Sequence, residues 1–285
     1  MRKFRIIPIA IFSMVSVFGL KSCTDDILKE ETRGVFTPDF FTTETGVQGG
    51  LTYLYQNMRN VFGFAYYLNL TETGTDEYVA AQSANNNFYD LDLAGQGNLS
   101  SESGFSVGVV WGNAFPAINT ASGIIENAEG VGLDNSLIAE ARFFRAFNYF
   151  LLVQNYGGVP LDLGSGELAF NNSAVRTSVR NTVPEVYTRA ILPDLQTAVN
   201  DLPDNPRLTG AVTKNVARLF LSKAYLTYAW WLENPNNIPT YPETPRTDPD
   251  GQDASYYFQK AYDLAVEGIE NPGPYRLLDC FYNVH

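Results

Sequence analysis

The 285 residues carry 31 acidic against 19 basic side chains, a net charge of −12, and 45% of them are hydrophobic. That apolar content suffices for one large domain with its own core, whereas so acidic a chain is a poor partner for nucleic acid or an anionic membrane surface. A single histidine at the last position, His285, and only two cysteines, Cys23 and Cys280, leave no basis for a histidine-based triad, a histidine metal site or an internal disulfide framework, so no catalytic residue, metal ligand or cofactor is assigned.

The first residues read as an address. Met1-Arg2-Lys3-Phe4-Arg5 is a positive n-region, and Ile6 to Leu20 is an apolar stretch shorter than the roughly 18 residues of a spanning helix. Leu20-Lys21-Ser22-Cys23 resembles a lipoprotein cleavage box, which makes Cys23 the lipid-bearing mature N terminus, and Asp25 and Asp26 directly after it resemble surface-export tags. Residues 1–22 are thus read as a lipoprotein signal peptide, 23–42 as a tether and 43–285 as the folded domain. Removal of the signal leaves 15 basic against 31 acidic residues, a charge of about −16.

Helical spacing then recurs. Thr43–Val61 places Val47, Leu51, Leu54, Tyr55 and Met58 on one face. Tyr78 to Ser103 is rich in Asn, Gly and Ser with interleaved rings, Asn85-Asn86-Asn87-Phe88-Tyr89-Asp90. This composition fits either a solvated loop or a site in which amides and ring faces hold a sugar. Trp111–Ala128 is the next helix, with Trp111 as a core residue and Pro116 bending the helix or marking a late start.

Leu137–Tyr156 organises the chain. Ser136 can cap it, Gly157-Gly158 and Pro160 end it, and apolar residues surround it except for a stripe of Arg142, Arg145 and Asn148. A helix of that kind sits between other helices, and its arginines are expected to pair with carboxylates on a neighbour. Gly164 to Asn181 follows as a polar surface excursion. Thr182 and Glu185 form a capping box for a helix over Val186–Leu202, stopped by Pro203. Helices over Thr213–Trp231 and Ser255–Glu270 complete the set. Between them lies a proline-rich segment that cannot be helical, with Trp230 and Trp231 at its base, one in the core and the other covering the loop.

Ala141-Arg142-Phe143-Phe144 and Ala217-Arg218-Leu219-Phe220 are alike, and so are the helices that follow them, Tyr187 to Ala190 against Tyr257 to Ala261. The pattern predicts a mostly α fold, a tetratricopeptide-like helix-pair superhelix with long irregular inserted loops at Gly164 to Asn181 and Glu233 to Asp253. Inserts at equivalent positions emerge on one side, which makes that side a candidate interaction face.

These residues also carry a resemblance. Glu140-Ala-Arg-Phe-Phe-Arg-Ala-Phe, Tyr149-Phe150 and Tyr156-Gly157-Gly158-Val159-Pro160-Leu161, with Thr75-Asp76-Glu77, Ile118-Asn119 and Val186-Tyr187 in the same order, resemble the SusD/RagB-type family. The resemblance implies a non-catalytic lipoprotein on the outer membrane that captures oligosaccharide for a SusC-like TonB-dependent transporter. Peptide capture, as in the RagB branch, and a helical scaffold without a small ligand stand as alternatives. Counted from Thr75-Asp76-Glu77, a platform asparagine of the founding starch-binding member falls on Asn85, and its stacking tryptophan on Gln82, which cannot stack. Tyr78, Gln82, Asn85, Phe88 and Tyr89 are therefore the candidate ligand-binding residues. Asp76 and Glu77, being adjacent, point apart and are read as structural, not as a catalytic pair. Tyr275-Arg276-Leu277 resembles a motif near the family's mid-length, so the chain is expected to represent its first half, from a truncated reading frame, with helix faces left exposed.

Overall fold

The computed structural model describes residues 37–63, 66–78, 106–164, 166–172, 178–240 and 244–280. Among these residues the elements are all helical: α1 (Glu44–Phe62), α2 (Tyr66–Glu72), α3 (Ser106–Ala128), α4 (Asn135–Tyr156), α5 (Val183–Val186), α6 (Leu192–Asp201), α7 (Lys214–Glu233) and α8 (Ala254–Glu270). A π turn, Tyr187–Ile191, joins α5 to α6. The long helices pack in the order α1, α3, α4, α6, α7, α8, each on the next. This is the stacking of a tetratricopeptide-like superhelix, as the repeat predicts.

The centre is α4. Sixteen of its 22 residues are buried, and it touches α1, α3, the π turn and α6. Its cap is Asp134, not Ser136: Asp134 Oδ1 accepts the Ser136 N–H at 2.9 Å, which starts the helix two residues ahead of the predicted position. At the other end Gly157 takes φ +71°, a left-handed conformation that only glycine adopts cheaply.

The arginine stripe pairs as expected. Arg145 grips Asp194 of α6 with two bonds, Nε to Oδ2 at 2.6 Å and Nη2 to Oδ1 at 2.8 Å. Arg142 adds a third to the same carboxylate at 2.9 Å and reaches Glu129 at 2.6 Å. The repeat extends to this chemistry: Arg218, the counterpart of Arg142 on α7, meets Glu267 of α8 at 3.0 Å. In both copies an arginine on the first helix is tied to a carboxylate on the second.

A second, half-buried bridge crosses longer range. Tyr55 of α1 donates to Glu140 Oε2 at 2.8 Å and accepts the Val212 N–H at 2.9 Å, while Arg207 holds both Glu140 oxygens. Burial, with the Glu140 charge beside it, pushes the Tyr55 phenol well above its ordinary value.

Two elements differ from expectation. α3 begins at Ser106, five residues before Trp111, and Pro116 lies inside it and does not mark a late start. Pro116 and Gly112, whose carbonyl the missing N–H would have engaged, are both on the exposed side, where water can serve that carbonyl. The segment read as one helix over Val186–Leu202 starts at Val183 and contains the π turn just before Pro193, where the Leu192 N–H bonds back to Tyr187. A proline in a regular helix clashes with the carbonyl four residues earlier, and the wider turn absorbs it. Phe41, placed within the tether by sequence, is fully buried and packs edge-on to Phe170 at 5.9 Å, so the 3-10 turn Pro38–Thr42 belongs to the packed domain. At the far end of the stack Leu219, Tyr262, Ile269 and Leu277 stand exposed.

Candidate functional site

Tyr149 and Asn181 fix the extended exit of α4. The Tyr149 hydroxyl donates to the Leu161 carbonyl, and Asn181 Oδ1 accepts the Leu161 N–H at 3.0 Å. The first insert thereby returns against Gly158: a Cβ there would lie 2.2 Å from the Asn181 carbonyl oxygen, so only glycine permits the approach. Thr182 and Glu185 then form the predicted capping box, with the Glu185 carboxylate accepting the Thr182 N–H at 2.7 Å. The described part of this insert is not a free excursion. Asn119 of α3 exchanges two hydrogen bonds with the backbone of Asn171, at 2.8 and 3.0 Å, in the manner of a strand pair.

After α7 ends, the described residues of the second insert form no helix, as its prolines require. Asn234 caps α7 with φ +41°, and its side chain exchanges two bonds with the Ile238 backbone. Arg246 folds back over the Trp231 ring, 4.7 Å from its centroid, and donates to the carbonyls of Trp231 at 2.6 Å and Ile238 at 2.7 Å. Asp248 closes the insert: its Oδ2 accepts the hydroxyls of Tyr228 and Tyr257, both at 2.8 Å. Burial first, and then the Asp248 carboxylate they donate to, push both phenols far above their usual value.

Between the two inserts lies a cleft of about 770 Å³, within the range of small-ligand sites. Its walls are the C-terminal turns of α4 with Gly157 and Gly158, the returning segment Arg180 to Val183, the end of α7, and from the second insert residues between Asn234 and Thr240 together with Thr244 and Arg246. Tyr187, stacked 4.5 Å from Tyr228, contributes at the base. Trp231 packs against the core and carries Arg246, while Trp230 is 54% exposed, so the tryptophan carrying the loop is also the one in the core. The amide residues Gln154, Asn181, Asn234 and Asn236 also line it, and among the described residues the lining includes two arginines and no carboxylate. The two inserts do open on one side, as the repeat predicts.

Of the residues selected from sequence, Tyr78 is exposed at the turn after α2, with its N–H donated to Thr75 Oγ1 at 3.2 Å, and it does not line this cleft. Gln82, Asn85, Phe88, Tyr89 and the lipid-attachment residue Cys23 lie outside the described residues. Asp76 and Glu77 are exposed in that turn. Trp111 packs against Phe115 at 4.6 Å and Tyr156 at 5.5 Å, the core role expected of it. Arg180, Arg246 and Trp230 were not singled out as site residues. The signal that pointed their way was the pair of inserts at equivalent places in the repeat.

Residues 40–226 match a SusD-like family profile described as starch-binding associating with outer membrane. SusD-like protein P2 of Formosa agariphila is 27% identical over 234 residues, which are 80% of this chain and 43% of that protein. Surface glycan-binding protein A from Bacteroides uniformis superposes with a TM-score of 0.61 at 19% identity, covering 85% of this chain and 49% of that one. A SusD-like protein from Bacteroides fragilis does so with a TM-score of 0.58 at 19% identity, covering 91% and 42%. The chain thus spans less than half the length of the relative and of both structures.

Proposed function

Since the chain belongs to the SusD-like family, we propose that it is the helical part of a non-catalytic binding lipoprotein that captures oligosaccharide at the cell surface for a TonB-dependent transporter. The observation that carries this is the cleft between the inserts. Exposed Trp230 offers a ring face for a sugar, and the amide and hydroxyl residues beside it, Asn236, Thr227 and Thr240 among them, supply polar groups suited to its hydroxyls. Glycosidic cleavage ordinarily requires two carboxylates astride the bond, and the lining supplies aromatic and amide groups in their place. The lipoprotein box at Cys23 supports attachment to the outer membrane through an acyl chain.

The test is isothermal titration against a panel of oligosaccharides, with oligopeptides alongside. Binding of a saccharide, lost in Trp230→Ala, is expected. No heat from any saccharide would contradict the proposal, and heat from peptides alone would favour the peptide-capturing alternative. Labelling with radioactive palmitate, abolished by Cys23→Ala, checks the anchor.

A further inference from the structure

Among the described residues, Arg142, Arg145, Arg189, Arg207 and Arg218 each meet a carboxylate, as is easily arranged in a chain with 31 acidic residues. Arg180 and Arg246 are built differently. Arg180 donates through Nε to the Gly158 carbonyl at 2.8 Å and through Nη2 to the Tyr156 carbonyl at 2.9 Å. Arg246 donates to the carbonyls of Trp231 and Ile238 and lies over the Trp231 ring. In each case two neutral carbonyls fix the guanidinium while leaving its charge uncompensated, and each keeps a nitrogen that bonds nothing else among the described residues.

Both line the same cleft, from opposite inserts, and among the described residues no aspartate or glutamate lines it with them. Two oriented cations in a concave site, within a protein of net charge −12, select for negative charge on the ligand. Burial pulls the Arg246 guanidinium below its usual value, a penalty that a bound anion would relieve.

We propose that this cleft takes an acidic saccharide, one whose ring rests on Trp230 while its carboxylate or sulfate groups meet Arg180 and Arg246. The inference rests on the saccharide-binding role proposed above and names the chemical class of its ligand.

The test titrates the chain with three oligosaccharides of equal length: an oligogalacturonate, a sulfated oligogalactan and an uncharged oligogalactan. Arg180→Gln and Arg246→Gln are titrated in parallel. The expected result is that at least one charged oligosaccharide binds more tightly than the uncharged one. Each substitution should weaken it about tenfold, as loss of a charge-assisted bond implies, and added salt should weaken binding to the unaltered protein. The two charged probes separate carboxylate from sulfate. Because both arginines also hold their inserts, both variants are checked by circular dichroism, and the salt series on the unaltered protein stands without them. Equal or tighter binding of the uncharged sugar, or charged-sugar binding indifferent to Arg180→Gln and to salt, overturns the inference and leaves the saccharide role intact. Failure of all three to bind overturns both.

Discussion

Arg145 and Asp194, 49 positions apart in the chain, form a fully buried two-point ion pair in which α4 and α6 are locked at one register. The Asp194 charge, together with the bonds to it, raises the Arg145 guanidinium against the burial that would lower it. Removing one partner strands the other charge in the core. Asp194→Ala should cost about 3–5 kcal/mol, read as a lower urea midpoint, whereas replacing both residues by apolar ones of similar size should cost much less.

Tyr55 serves two elements at once, Glu140 of α4 and the Val212 backbone. Tyr55→Phe leaves the ring in its edge contact with Phe144 at 4.6 Å but removes both bonds. A loss of about 1–3 kcal/mol is expected, measured by chemical denaturation, together with faster hydrogen exchange at the Val212 amide.

Gly158 sits where no Cβ fits. Gly158→Ala must push back the Asn181 backbone, 2.2 Å from the new atom, and with it one wall of the cleft. About 1–3 kcal/mol of stability should be lost, and saccharide affinity should fall with it. Gly112→Ala, in an exposed helical position with nothing within 4 Å, is the control: stability should rise by about 0.5–1 kcal/mol with binding unchanged.

Alkali tests the tyrosines around Asp248. Tyr228 and Tyr257 titrate far above the ordinary 10.0 in the folded state, through burial and then through Asp248. A folded-state value raised above the unfolded one gives stability that is complete below about pH 10 and is lost as pH climbs toward the folded value. Each such tyrosine steepens the decline by up to about 1.4 kcal/mol per pH unit in that window. Denaturant midpoints should therefore be flat below pH 10 with respect to these groups and fall above it. Their phenolate absorbance should develop only as the protein unfolds, and Tyr257→Phe should flatten the slope.

The helices were legible because their cause is local. α1, α4, α7 and α8 follow from apolar spacing and a terminal cap, and the Thr182 box was readable down to its bonds. That Arg142 and Arg145 would pair across helices could also be read, but the identity of Asp194 could not, since it depends on how α4 and α6 meet. Boundaries slipped near prolines: Pro116 lies within α3 as one of its two readings had it, but the helix starts five residues earlier than read, and Pro193 produced a π turn that no periodicity announces. The cleft was least legible. Gly158, Asn181, Trp230 and Arg246 adjoin only after both inserts fold back, and nothing within either insert states where the other will lie. From the stretch Tyr78 to Tyr89, chosen by resemblance, the described structure includes only Tyr78 at its edge.

Tryptophan fluorescence under saccharide titration tests the central claim most directly, because two of the three tryptophans, exposed Trp230 and core-packed Trp231, line the cleft and Trp111 does not. A saturable spectral change in the unaltered chain, with affinity lost in a fully helical Trp230→Ala variant, is the predicted result. An oligosaccharide that binds Trp230→Ala as tightly as the parent would contradict it and place the sugar elsewhere.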